Sequence, residues 1–193
     1  GLVLVVVSLI AAVVFAAGTG QARRAIPEGR EYLFYSAALL CLTGLLGVTI
    51  TGDVFNVFVF MEISSLSSYI LIALGRERRA MMAAYSYLVM GTIGATFLLI
   101  GIGLMYQMTG TLNMVDMAER LQGVSATRTF LVAVSFVVVG ISTKLAVFPL
   151  HQWLPNAYSV APPLVSALLA STAPKVASYL RIRVWRGRFG ASL

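Results

Sequence analysis

Apolar residues run through this chain in long unbroken stretches rather than in alternation or in amphipathic stripes. Six such stretches can be marked: about 1–17, 32–51, 54–75, 80–106, 129–148 and 162–182. About 20 apolar residues cross a bilayer core of roughly 30 Å as a helix, and continuous runs exclude a β-barrel, whose strands alternate. The pattern predicts an all-α, polytopic transmembrane helix bundle. Short polar segments punctuate it: GTGQARRAIPEGRE after the first stretch, a tight turn at Thr51-Gly52-Asp53 after the second, and RERR at 76–79 after the third. Pro162-Pro163 opens the last stretch.

Residues 107–128 break the pattern. QMTGTLNMVDMAERLQGVSATR is too polar to span, and Leu112, Val115, Ala118 and Leu121 fall at helical spacing. Asn113 followed by Asp116 reads as an N-cap with an acidic third position. A short amphipathic helix over about 111–122, lying along the membrane surface, is expected.

Composition narrows the function. The chain has 193 residues, is 59% hydrophobic and carries a net charge of +7. That charge does not indicate nucleic acid, because the arginines stand in loops or at stretch ends, where membrane proteins place them. The positive-inside rule does not orient the chain, since the arginines divide evenly between the two faces. The single cysteine, Cys41, is expected to pack and nothing more; one thiol holds neither a disulfide framework nor an iron–sulfur cluster. No residue pattern calls for a metal or a cofactor. Phosphate loops and Ser–His–Asp constellations are missing, so no catalytic site is assigned. The chain starts inside an apolar stretch and ends at RGRFGASL without a clear stop, as a fragment of a longer protein would.

The basic residues divide by type. All twelve arginines lie in loops or at stretch ends, and the two lysines, Lys144 and Lys175, both lie within apolar stretches. Arginine holds its proton at any accessible pH, whereas a desolvated lysine gives it up readily. A membrane interior that exchanges protons would therefore use lysine. One acid matches them: Glu62 stands nine residues past Asp53, roughly 13 Å along a helix at about 1.5 Å per residue. Ionisable groups at such depth face the bundle interior, pair with one another and mark ion or proton paths. Ser64, Ser65, Ser67, Ser68 and Tyr69 follow it, with hydroxyls able to bond across helices or hold water.

GISTKLAVFPLHQWLP, residues 140–155, couples the lysine to an irregular backbone. Pro149 lacks an N–H and would leave the Leu145 carbonyl without its helical donor. Broken backbone at membrane depth is tolerated where protein buries it or a wet cavity meets it, and broken helices beside charges build transporter sites. Pro174 repeats the device directly before Lys175. His151 is balanced between a relay group at a cavity mouth and a hydrogen-bonded interfacial residue. Trp153 reads as an interface anchor, and Gly91, Gly94, Gly101 and Gly103 read as close-packing positions.

TGDVFNVFVFMEISSLSSYILIALG, GTLNM and KLAVFPLHQWLPNAYSVAPPLVSALL, with SYLRIR after it, resemble the antiporter-like subunit superfamily. Its members are the D subunits of Mrp-type Na⁺/H⁺ antiporters, the proton-pumping membrane subunits of complex I, and related subunits of energy-converting hydrogenases. The resemblance covers almost the whole chain, and K-x4-P-x-H-x-W-L-P with an upstream intramembrane Glu is its specific part. It implies a fold of about fourteen helices with two inverted five-helix repeats. Residues 1–31 would then be a partial helix with a basic linker, and 32–193 the first repeat, with a discontinuous helix. It implies Glu62, Lys144 and Lys175 as a proton relay and a cytoplasmic 76–79 loop. Pro174 before the lysine, and Ala177 where many relatives have Gly, depart from the family and put the local helix geometry in question.

The expected function is proton, or coupled Na⁺/H⁺, translocation by a multi-pass subunit of a prokaryotic inner-membrane complex, with other membrane subunits as partners and no nucleic acid. TGDVFNVFVF leans toward the Mrp or hydrogenase branch. The alternatives are a redox-driven pump subunit of complex I or a hydrogenase, whose enzymatic part lies on other chains, and a non-conducting scaffold.

Overall fold

The computed structural model describes residues 1–26, 29–75, 78–121, 127–148 and 150–184, with the side chains of 19–25 excepted. Pro149, Arg76, Arg186 and Arg188 thus lie outside the described residues. The described chain is α-helical: α1 (Leu2–Ala25), α2 (Glu31–Ile50), α3 (Val54–Ala73), α4 (Arg78–Thr109), α5 (Met114–Leu121), α6 (Arg128–Lys144), α7 (Trp153–Val160) and α8 (Pro163–Val184). All six apolar stretches become helices. Three of them, α2, α3 and α4, are long and apolar enough to cross a membrane, and the apolar part of α1, Leu2–Gly18, is shorter.

Each helix forms for local reasons. Asp53 caps α3 by accepting the Asn56 N–H at 2.8 Å, and Thr127 caps α6 by accepting from Phe130. Pro163 opens α8, where a missing N–H is no loss. α4 packs on α3 and α6, α2 on α3, and α1 on α8. The α4–α6 seam rests on Gly94 and Gly140. A Cβ on Gly140 would lie 2.8 Å from the Gly94 carbonyl, and one on Gly94 would lie 2.9 Å from the Thr143 Cβ. Gly101 seats Val137 in the same seam, but Gly103 faces open space and takes no part in packing.

The surface helix is present as α5, and Asn113 caps it, accepting from Val115 at 2.9 Å and Asp116 at 3.4 Å. Its inner face differs from the expected one. Met117 and Leu121 are buried, whereas Val115 is 70% exposed. The reason is a pair of backbone hydrogen bonds, Val54 N–H to the Leu112 carbonyl and Met114 N–H to the Gly52 carbonyl, both 2.9 Å. They form an antiparallel bridge between Asp53 and Asn113 and set the roll of α5 against the α2–α3 turn.

The fifth apolar stretch also ends early. α6 stops at Lys144 rather than running to 148. Leu145 is its C-cap, and Ala146 adopts a left-handed φ of 51°. The Ala146 N–H reaches the Thr143 carbonyl at 3.2 Å and the Val147 N–H reaches Ser142 at 3.1 Å. Those two bonds define a Schellman motif, so the helix is closed before Pro149 is reached. Pro155 does not break a helix either: it lies in the first turn of α7, where its missing N–H is tolerated.

Candidate functional site

Glu62 is the ninth residue of the 20-residue α3, close to its middle. Lys144 is the last residue of α6. Packing of α3 and α6 on the shared surface of α4 brings them together. Lys144 Nζ lies 3.1 Å from Glu62 Oε1 and donates to Ser65 Oγ at 2.6 Å. The lysine side chain is 7% exposed and the glutamate 23%. Ser65 passes its own proton to the Met61 carbonyl, leaving its lone pair for the ammonium. Ser67 and Ser68 instead donate back to their own helix, although Ser68 also lies 3.4 Å from Cys41 Sγ. A buried pair of this kind stands only when both charges are paired and bonded.

The end of α6 is held by an aromatic ladder that sequence reading missed. Trp153 Nε1 donates to the Thr143 carbonyl at 3.2 Å, one residue before Lys144. The indole stacks on Tyr87 with centroids 4.1 Å apart and planes 7° apart. Tyr87 meets Tyr69 edge to face at 4.6 Å. Trp153 is therefore a buried strut, not an interface anchor. The two tyrosines offered no periodic signal to distinguish them from ordinary core aromatics. Gly91 has a special place: a Cβ there would fall on the Tyr69 hydroxyl and 3.6 Å from Lys144 Nζ.

Lys175 does not join the pair directly. Its ammonium donates to the Ala170 carbonyl at 2.8 Å, and the residue is exposed on the outer side of α8. Ala170 is the i−4 partner that Pro174 cannot serve, so the lysine supplies the donor the proline lacks. Pro174 interrupts the hydrogen-bond ladder without ending α8, which continues to Val184. A small cavity of about 40 Å³ lies between Lys144 and this helix, bounded by Ser65, Ser68, Ala173, Val176 and Ala177. Its size suits a few waters, since one needs roughly 10–15 Å³ by this measure. His151 stands in the turn between α6 and α7, its ring 5.6 Å from that of Phe148, with Nδ1 buried and unpartnered among the described residues. No described contact joins it to Lys144. Among the described residues no three His, Cys, Asp or Glu side chains gather to hold a metal ion.

Residues 51–187 match the family described as NADH:quinone oxidoreductase/Mrp antiporter, TM. The chain belongs to that family. It is 45% identical over 183 residues to the N subunit of the NADH-quinone oxidoreductase of Desulforudis audaxviator, covering 95% of this chain and 36% of that one. It is 34% identical over 163 residues to the D subunit of the Na⁺/H⁺ antiporter of Bacillus subtilis, covering 84% and 33%. Among solved structures it is similar to a chain of the membrane-bound sulfane sulfur reductase, an archaeal respiratory membrane complex. There the TM-score is 0.83 and the identity 33%, over 96% of this chain and 37% of that chain. Against the Mrp complex from Dietzia the TM-score is 0.82 at 29% identity, over 96% and 34%. The chain spans about a third of the length of these relatives. Membership confirms the expected superfamily and the all-α membrane fold, and makes the chain part of an antiporter-like membrane subunit.

Proposed function

We propose that residues 32–193 form a proton-translocating repeat, that residues 1–31 are a preceding partial helix and linker, and that Glu62 and Lys144 are its switchable pair. The observation that carries this is the Lys144–Glu62 contact of 3.1 Å, made across 82 residues at the end of a helix that stops inside an apolar stretch. While the pair is closed, the carboxylate and Ser65 hold the lysine in its charged form. When Glu62 moves away or is neutralised, the ammonium loses its counter-charge in a poorly hydrated site and releases its proton. The cavity toward α8 is the first part of the route, and Lys175, exposed on the same helix, is the next group once it leaves the Ala170 carbonyl. The unpartnered Nδ1 of His151 gives the α6–α7 turn a further proton acceptor. The turn over residues 145–148 that ends α6 is the element whose rearrangement would part the pair. The protein would act in a prokaryotic cell membrane, among the other membrane subunits of its complex.

Two energy sources fit this site. The 45% identity to the N subunit of an NADH-quinone oxidoreductase, against 34% for the D subunit of an antiporter, favours a redox-driven pump over a Na⁺/H⁺ antiporter. The deciding experiment is proton uptake into vesicles carrying the full-length parent complex, with and without Na⁺. Lys144→Ala and Glu62→Gln are expected to assemble and to lose most uptake. Uptake at the wild-type level in both would reduce the pair to architecture and leave a scaffold. A Na⁺ requirement would return the antiporter reading to first place.

A further inference from the structure

The Tyr69 hydroxyl is a polar atom of the site that lies near Ser65 and makes no hydrogen bond of standard geometry among the described residues. Tyr69 is 7% exposed, and its oxygen is buried with no hydrogen-bond partner of standard geometry among the described residues. Burying a hydroxyl unpaired costs free energy that a fold normally avoids. The ring cannot easily turn away, because Tyr87 packs on it edge to face and is itself stacked on Trp153. Gly91 leaves a hollow in which the hydroxyl and Lys144 Nζ both lie. The hydroxyl is therefore held beside the lysine, near Ser65 but without a full hydrogen bond, while the lysine is paired.

We propose that Tyr69 is the hydrogen-bond donor that receives Lys144 once the lysine has released its proton. This rests on the relay reading given above. An ammonium has three donors and no acceptor, and in the closed pair it spends two of them on Glu62 and Ser65. A neutral amine gains a lone pair and needs a donor. Glu62 as a carboxylate has none to offer, and the Ser65 proton is committed to the Met61 carbonyl. The Tyr69 O–H is the donor left over. No covalent bond changes beyond the release already proposed: the proton leaves Nζ, and the freed lone pair accepts from the phenol.

Other titratable groups near the lysine are otherwise engaged or set apart. On α2, Cys41 is held by Ser64 and Ser68. On α4, Tyr87 is the middle of the aromatic ladder. Before α7, His151 packs on Phe148, and on α8, Lys175 is tied to Ala170. Glu62 remains the only charged partner among the described contacts. Tyr69 thus acts as a positioning residue for one protonation state of Lys144, and its loss should move the pH at which the site works, not only its rate.

The test is the pH profile of proton uptake by the full-length complex in vesicles, with Tyr69→Phe, Gly91→Ala and Lys144→Ala beside wild type. Tyr69→Phe keeps the ring and the ladder. Without the donor the neutral lysine is disfavoured, so release needs more alkaline medium, and the profile should move up by roughly half to one pH unit. Gly91→Ala, whose Cβ would displace the hydroxyl, should move it the same way, and it serves should Tyr69→Phe not assemble. An unmoved profile, or an acid shift, with Lys144→Ala inactive overturns the role of Tyr69 and leaves the relay standing. Full uptake in Lys144→Ala overturns the relay, and the inference with it.

Discussion

Trp153 and Thr143 meet at 3.2 Å, indole N–H to backbone carbonyl, at the one turn of α6 that carries Lys144. The Thr143 carbonyl already accepts the Ala146 N–H in the Schellman turn, and the indole from the next helix adds a second donor to it. Trp153→Phe keeps most of the stack on Tyr87 but strips this bond. It should cost about 1–2 kcal/mol, read as a lower melting temperature of the purified complex. Proton uptake should fall with it, because the lysine loses its fixed base.

Ala146 stands where a Schellman motif usually has glycine. Its φ of 51° is left-handed, a conformation that costs an L-residue about 1–2 kcal/mol. Ala146→Gly should therefore leave stability unchanged or raise it by up to about 1 kcal/mol, after the greater freedom of glycine in the unfolded chain is set against it. Ala146→Val should lower it, since a β-branched residue resists that region. Denaturant or thermal unfolding of the two variants would show whether α6 ends by this motif.

Pro174→Ala restores an N–H to the Ala170 carbonyl, so the hydrogen bond that now holds Lys175 Nζ at 2.8 Å becomes redundant. The lysine should be freed, and its labelling by a small amine-directed reagent should quicken at a pH where wild type reacts slowly. Equal labelling rates would mean that the carbonyl does not restrain it.

α5 carries a pH-sensitive clip outside the membrane spans. Asp116 accepts from Arg120 Nε at 2.8 Å, and Arg120 also donates to the Thr109 carbonyl. The Arg120 bond, with help from Thr111, holds the Asp116 carboxyl below its ordinary value of 3.8. The clip is fully present above that value and is lost as pH falls through the depressed one. The protection of α5 amides, taken relative to their intrinsic exchange rates, should fall on acidification through this window. In Asp116→Asn it should be lower throughout and should not change across the window.

Long elements were legible because burial and membrane length both demand unbroken apolar runs; α2, α3 and α4 follow the stretches read for them. Glu62 and Lys144 were legible because a charge is costly in such a run, and their pairing followed from having few partners to choose. The Asp116–Asn113 cap was legible from local spacing. The roll of α5 was not, because it depends on two backbone hydrogen bonds to a turn about 60 residues away. Sequence pattern puts the end of α6 at the proline, whereas an alanine in a glycine's conformation closes it earlier, and no local pattern announces that. Nor does spacing say which of many apolar aromatics will stack into a ladder, or that Lys175 will turn back onto the carbonyl its neighbouring proline leaves open.

The bridge between Asp53 and Asn113 has a mechanical consequence. It ties together the two ends of a segment whose bulk is the α3–α4 hairpin, making that hairpin a closed ring pinned at one membrane face. Glu62 stands on α3 roughly 13 Å above that tie, so the depth of its carboxylate is measured from α5, a helix more than fifty residues further along the chain.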